Sequence, residues 1–116
     1  MKKLSIAIRH HILLENIAGL LDSASRGSSY WAENELGYES ETDKVLKNGE
    51  YSIIRDIEEE SSNNEYQLNL KMVKKGLTVM AKKYPKHFAD FINEDYDQTT
   101  GDVFLQCCLF GDVIYG

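Results

Sequence analysis

Hydrophobic and polar positions change period several times along this chain, and each change marks an element. Leu4, Ile6 and Ile8 alternate with Ser5 and Ala7, the two-residue period of a half-buried strand. From Leu14 the apolar positions shift to Ile17, Leu20, Leu21 and Ala24, one face of a helix that ends before Gly27. After a loop carrying Tyr30 and Trp31, a short helix over residues 41–47 closes at the turn pair Asn48-Gly49. Tyr51, Ile53, Arg55 and Ile57 then alternate with Ser52, Ile54 and Asp56, and beyond the polar SSNN the residues Tyr66, Leu68 and Leu70 alternate again. Residues 51–70 therefore predict a β-hairpin.

The second half reads as helices. Val73, Leu77, Met80, Ala81 and Tyr84 share one helical face, with most of the lysines off it. Pro85 ends that helix and suits the first turn of another, with Phe88, Phe91 and Ile92 facing inward. VFLQCCLF is apolar almost all round, so residues 102–110 predict a buried helix, capped by Asp102 and stopped by Gly111, with an extended DVIYG after it. The expected architecture is a single α+β domain over residues 1–116, its helices packed on a small, mainly antiparallel sheet with a hairpin.

Composition narrows the function classes. A chain of 116 residues holds one core and has no room for a second. Its net charge of −6 argues against the phosphate-binding stripe of a nucleic-acid binder, so direct nucleic-acid contact is not expected. The charge lies in blocks. Residues 1–30 carry four basic and two acidic side chains, residues 31–60 three and ten, residues 61–83 five and one, and residues 84–116 one and six. Blocks of this kind polarise a surface and steer a partner of opposite charge. The adjacent Cys107 and Cys108 lie in an apolar run and read as two buried, reduced thiols. No apolar run spans a membrane, and MKKLSIAIRHHILL lacks a small-residue cleavage site, so a cytoplasmic location in a host cell is expected.

Two stretches carry candidate chemistry. HFADFINEDYDQTTGD, residues 87–102, holds one histidine and five carboxylates without a lysine or arginine. On a helix over residues 86–94, His87 and Asp90 stand three apart with Glu94 on the same face, and Asp95, Asp97 or Asp102 could complete a structural zinc site, with His87, Asp90 and Asp102 the leading set. A calcium loop starting at Asp95 fails, since Thr100 stands where glycine is required and Gln106 where a bidentate glutamate is. The bland alternative is a capped, solvated acidic turn. Two acidic clusters, Asp56 with Glu58, Glu59 and Glu60, and Asp90 with Glu94, Asp95 and Asp97, are candidates for binding a basic protein surface. Catalysis lacks support: the three histidines accompany no G-x-S-x-G elbow, and neither a Walker loop nor a G-x-G-x-x-G fingerprint is present.

The segment GLTVMAKKYPKHFADFINEDYDQTTGDVFLQCCLFGDVIYG, with YW after the first helix, resembles a group of small phage and prophage proteins. The resemblance covers the last third of the chain well and the middle poorly, and it carries no catalytic residues over. It implies an anti-defence context, including anti-CRISPR proteins that occupy the basic nucleic-acid channel of a host effector nuclease, where carboxylates would compete for channel lysines and arginines. Two other classes stand beside that inhibitor. A sponge for a nucleotide messenger would draw on Arg26, Tyr30, Trp31 and Arg55, and a virion or assembly accessory would form stable oligomers.

Overall fold

The computed structural model describes residues 2–6 and 9–116. Eight elements follow in order: α1 (Leu14–Gly27), β1 (Ala32–Glu33), α2 (Glu39–Leu46), β2 (Ser52–Asp56), β3 (Glu65–Leu68), α3 (Leu70–Lys83), α4 (Pro85–Ile92) and α5 (Gln98–Phe110). The three strands form an antiparallel sheet in the order β1-β2-β3, with Glu33 opposite Arg55 and Arg55 opposite Glu65. The fold is α+β, and β2 and β3 make the expected hairpin.

The apolar run of α5 explains the arrangement of the helices. Residues 100–108 are buried without a break, so this helix needs neighbours on several sides and finds α1, α3, α4 and β3 around it. α1 comes closest. A Cβ on Gly101 would stand 2.4 Å from the backbone nitrogen of Ala24, so only glycine lets the two helices approach to this distance. Gly111, at φ 72°, stops α5 as expected.

The start of α5 differs from expectation. Asp97 is its cap, with Oδ1 accepting from the backbone nitrogens of Thr99 and Thr100 at 3.0 and 3.2 Å. Gln98-Thr99-Thr100-Gly101 is a poor helix-forming sequence, and packing against α1 overrides that weak propensity. Asp102 thereby moves from the cap into the helix interior.

The predicted N-terminal strand does not form among the described residues. Residues 2–6 and 9–13 have no regular structure, and Leu4 and Ile6 are 92% and 74% exposed, while Ile8 lies outside the described residues. Alternation allows a strand but supplies no edge to pair with. The helix expected over residues 86–94 ends at Ile92, which is exposed, and Glu94 follows with a left-handed backbone at φ 56°.

Candidate functional site: an outward-facing apolar strip in an acidic groove

β2 has an unusual orientation. Its residues Ser52, Ile54 and Asp56 point into the protein, while Ile53 and Arg55 within the strand, with Tyr51 and Ile57 flanking it, point out. The more apolar face is the solvent face. Tyr51 is 47%, Ile53 40% and Ile57 45% exposed. The polar inward residues are accommodated because each has partners: Ser52 Oγ donates to Glu41 at 3.1 Å, and Asp56 accepts from Tyr115 Oη at 2.7 Å and from the backbone nitrogens of Glu58 and Glu59.

Around this strip the fold builds an open groove of about 870 Å³ between the outer sheet face and α2. Tyr51 and Ile53 lie in it with Asn34, Gly49, Lys44 and Arg55, and five glutamates surround them: Glu33, Glu35, Glu41, Glu50 and Glu65. The two cations are already engaged. Arg55 pairs with Glu33 across the β1–β2 register, and Lys44 Nζ lies 2.6 Å from Glu41. That contact with Lys44 holds the Glu41 carboxyl below its ordinary range, and the same contact raises the Lys44 ammonium. Glu35, Glu50 and Glu65 form no ion pair among the described residues. An apolar floor with an acidic, partly uncompensated rim suits a chain that offers apolar side chains flanked by lysine or arginine.

The acidic residues named from sequence sort differently. Glu58, Glu59 and Glu60 are exposed at the hairpin end, as a binding surface requires. Asp56 is 2% exposed and committed to Tyr115 and the turn, so it is corrected from surface contact to interior acceptor. Asp90, Asp95 and Asp97 line a smaller pocket with His87, Tyr96 and Thr100, while Glu94 lies beyond the end of α4. Asp97 has its capping role there as well.

The zinc set is also corrected. His87 Nδ1 is 2.8 Å from Thr100 Oγ1, whereas Asp102 faces the other way. Asp102 Oδ1 accepts from Trp31 Nε1 at 2.7 Å and from Gln106 Nε2 at 3.0 Å, and Oδ2 accepts from Tyr30 Oη at 2.6 Å. Its oxygens are occupied by these donors, so it cannot join His87 and Asp90. Among the described residues no three His, Cys, Asp or Glu side chains are grouped to hold a metal ion.

The same network accounts for the tail. Gln106 Oε1 accepts from the backbone nitrogens of Ile114 and Tyr115, both at 2.8 Å, and the Tyr115 ring stacks on Trp31 with centroids 5.2 Å apart. Trp31 is fully buried beneath Tyr115 and Phe110. A nucleotide cannot stack on it, and Tyr30, although 47% exposed, has its hydroxyl committed to Asp102, so the aromatic pair proposed for a messenger sponge offers no open stacking platform at Trp31. Thus Tyr30, Trp31, Asp102, Gln106 and Tyr115 converge on a structural clamp.

Sequence reading missed the groove because Glu33, Glu35, Glu41, Glu50 and Glu65 are scattered over four chain segments. One signal was available: β2 carries apolar residues on both alternating sets, and only one set can face the core. No protein-family model matches the chain, and neither a curated protein nor a solved structure matches it.

Proposed function

We propose that this protein is a non-catalytic docking protein whose acidic groove binds a lysine- and arginine-lined surface of a host protein. In the phage context implied by the resemblance, that host protein is a nucleic-acid-handling effector, with a CRISPR effector nuclease the leading candidate. The observation that carries the reading is the outward apolar strip of Tyr51 and Ile53 inside a rim of five glutamates, three of which form no ion pair among the described residues. A strand that turns its apolar side to water departs from the usual agreement between local pattern and fold, and such departures concentrate at functional surfaces. The described residues contain no helix long and apolar enough to cross a membrane, and a membrane partner is not part of the proposal.

Net charge alone makes any acidic protein attract cations, so the test compares three charge-matched variants. Glu35, Glu50 and Glu65 are changed to lysine in one, Glu58, Glu59 and Glu60 in the second, and Asp90, Glu94 and Asp95 in the third. Binding of a fluorescent arginine-rich peptide with apolar spacers is then followed by anisotropy. Loss of at least tenfold in affinity for the first variant, with the other two reduced only slightly, is the expected result. Equal losses in all three would reduce the effect to net charge and remove the groove from it. Capture of a host protein by the wild type and not by the first variant would then identify the partner.

A further inference from the structure

The N-terminal arm and the groove are complementary in both charge and apolar content. Lys2, Lys3 and Arg9 are exposed, and the chain has no acidic residue before Glu15. Leu4 and Ile6 are the most exposed aliphatic side chains among the described residues. In an extended arm they lie on one face and Lys3 and Ser5 on the other. Residues 2–6 then span roughly 17 Å at about 3.4 Å per residue, the length of a strand such as β2. The groove offers Tyr51 and Ile53 to the apolar face, and Glu35, Glu50 and Glu65 to the lysines and arginine.

We propose that the groove of one copy of this chain takes the N-terminal arm of a second copy, giving a reciprocal two-fold dimer. The inference rests on the groove being a dock for basic chain and names one such chain. Within its own chain, His10, which follows the arm, contacts an element that does not line the groove. His10 sets its ring edge-on to Phe88 of α4, with centroids 5.2 Å apart, and α4 packs on α3 and α5. The groove lies between the sheet and α2, and neither His10 nor Phe88 lines it. Reciprocal exchange leaves both grooves filled and closes the assembly at two copies. An external basic partner must displace the arm, so dimerisation sets how readily the groove is available.

Sedimentation velocity on the full chain tests this. At low salt the wild type is expected to be a dimer that dissociates at high salt, since the contacts are between solvent-exposed charges. One variant carries Lys2→Glu, Lys3→Glu and Arg9→Glu, and another Glu35→Lys, Glu50→Lys and Glu65→Lys. Each alone is expected to be monomeric at low salt. An equimolar mixture of the two is expected to form a heterodimer, because the reversed arm of one meets the reversed groove of the other, and that recovery also shows that both variants are folded. A wild type that stays monomeric at low salt, a dimer that neither reversal weakens, or a mixture that does not associate would overturn the proposal. The arginine-rich peptide separates the two readings. If a monomeric wild type still binds it through the groove, only the exchange fails. If the peptide does not bind even to the variant whose arm is reversed and whose groove is therefore vacated, the docking function fails as well.

Discussion

Asp102 serves three donors at once, from Trp31, Tyr30 and Gln106, and its bonds to Trp31 and Gln106 are buried. Asp102→Ala strands the buried indole N–H and is expected to cost roughly 2–4 kcal/mol, by the loss of charge-assisted bonds and of a buried acceptor. Asp97→Ala removes a helix cap and is expected to cost about 1 kcal/mol. Urea denaturation followed by the single tryptophan, Trp31, measures both, and a larger loss for Asp97→Ala would contradict the assignment of the two aspartates. Weakened acidities give a second prediction at this scale. Burial pushes the Cys107 thiol from 9.0 up to about 11 and raises the Cys108 thiol well above its ordinary value too. Tyr30 rises from 10.0 to about 12, mainly through burial and then through Asp102, and Tyr115 rises from 10.0 to about 12, mainly through its bond to Asp56. In each case the native state keeps a proton that the unfolded chain releases earlier. Their stabilising contribution is whole below the unfolded thiol value of 9.0 and is lost as pH climbs towards 12. Urea midpoints should therefore fall steadily across that alkaline window, and Tyr115→Phe should flatten its upper part. Both thiols should resist a thiol reagent until the protein unfolds.

At the scale of elements, β2 and α5 carry the informative contrasts. Ile54 faces the core and Ile53 the groove, so Ile54→Ala is expected to cost about 2–5 kcal/mol while Ile53→Ala stays within about 0.5–1 kcal/mol. Equal costs would mean that the strand is turned the other way. Gly101→Ala places a methyl 2.4 Å from backbone of α1 rather than from a side chain that could move aside, and is expected to cost about 3 kcal/mol or more. These two elements also show what is readable locally. The hairpin was legible because two alternating runs flank a polar turn, and the apolar run of α5 because nine consecutive buried residues leave no polar face. The first turn of α5 was not legible, since Thr99, Thr100 and Gly101 disfavour helix and are held there by α1. The N-terminal arm is the converse, a strand pattern whose described residues pair with no strand.

For the whole molecule, the blocks of charge matter through where folding places them. Glu33 and Glu35 follow α1, Glu41 lies on α2, Glu50 precedes β2 and Glu65 opens β3, yet all five line one groove. Neutralising Glu35, Glu50 and Glu65 to glutamine should slow association with a basic partner and flatten the dependence of that rate on salt, measured by stopped flow at several ionic strengths. The same change at Glu58, Glu59 and Glu60 should alter the rate less, because that cluster lies outside the groove. Unchanged rates for the groove variant at low salt would refute electrostatic steering to this face.

The sequence by itself determined the class of fold, the hairpin, the helices, the burial of both cysteines and the acidity of the surface, because these follow from short-range periodicity, capping and composition. Tertiary structure decided which side of β2 faces inward, since Asp56 finds a donor on Tyr115 and Ser52 an acceptor on Glu41, far away in the chain or on another element. It also decided that Asp102 is an interior acceptor and not a cap or a metal ligand, because Trp31, 71 positions earlier, donates to it. The groove belongs to the same class of property: its carboxylates share a surface only after the strands have paired and α2 has packed beside them, and no local pattern encodes that distance.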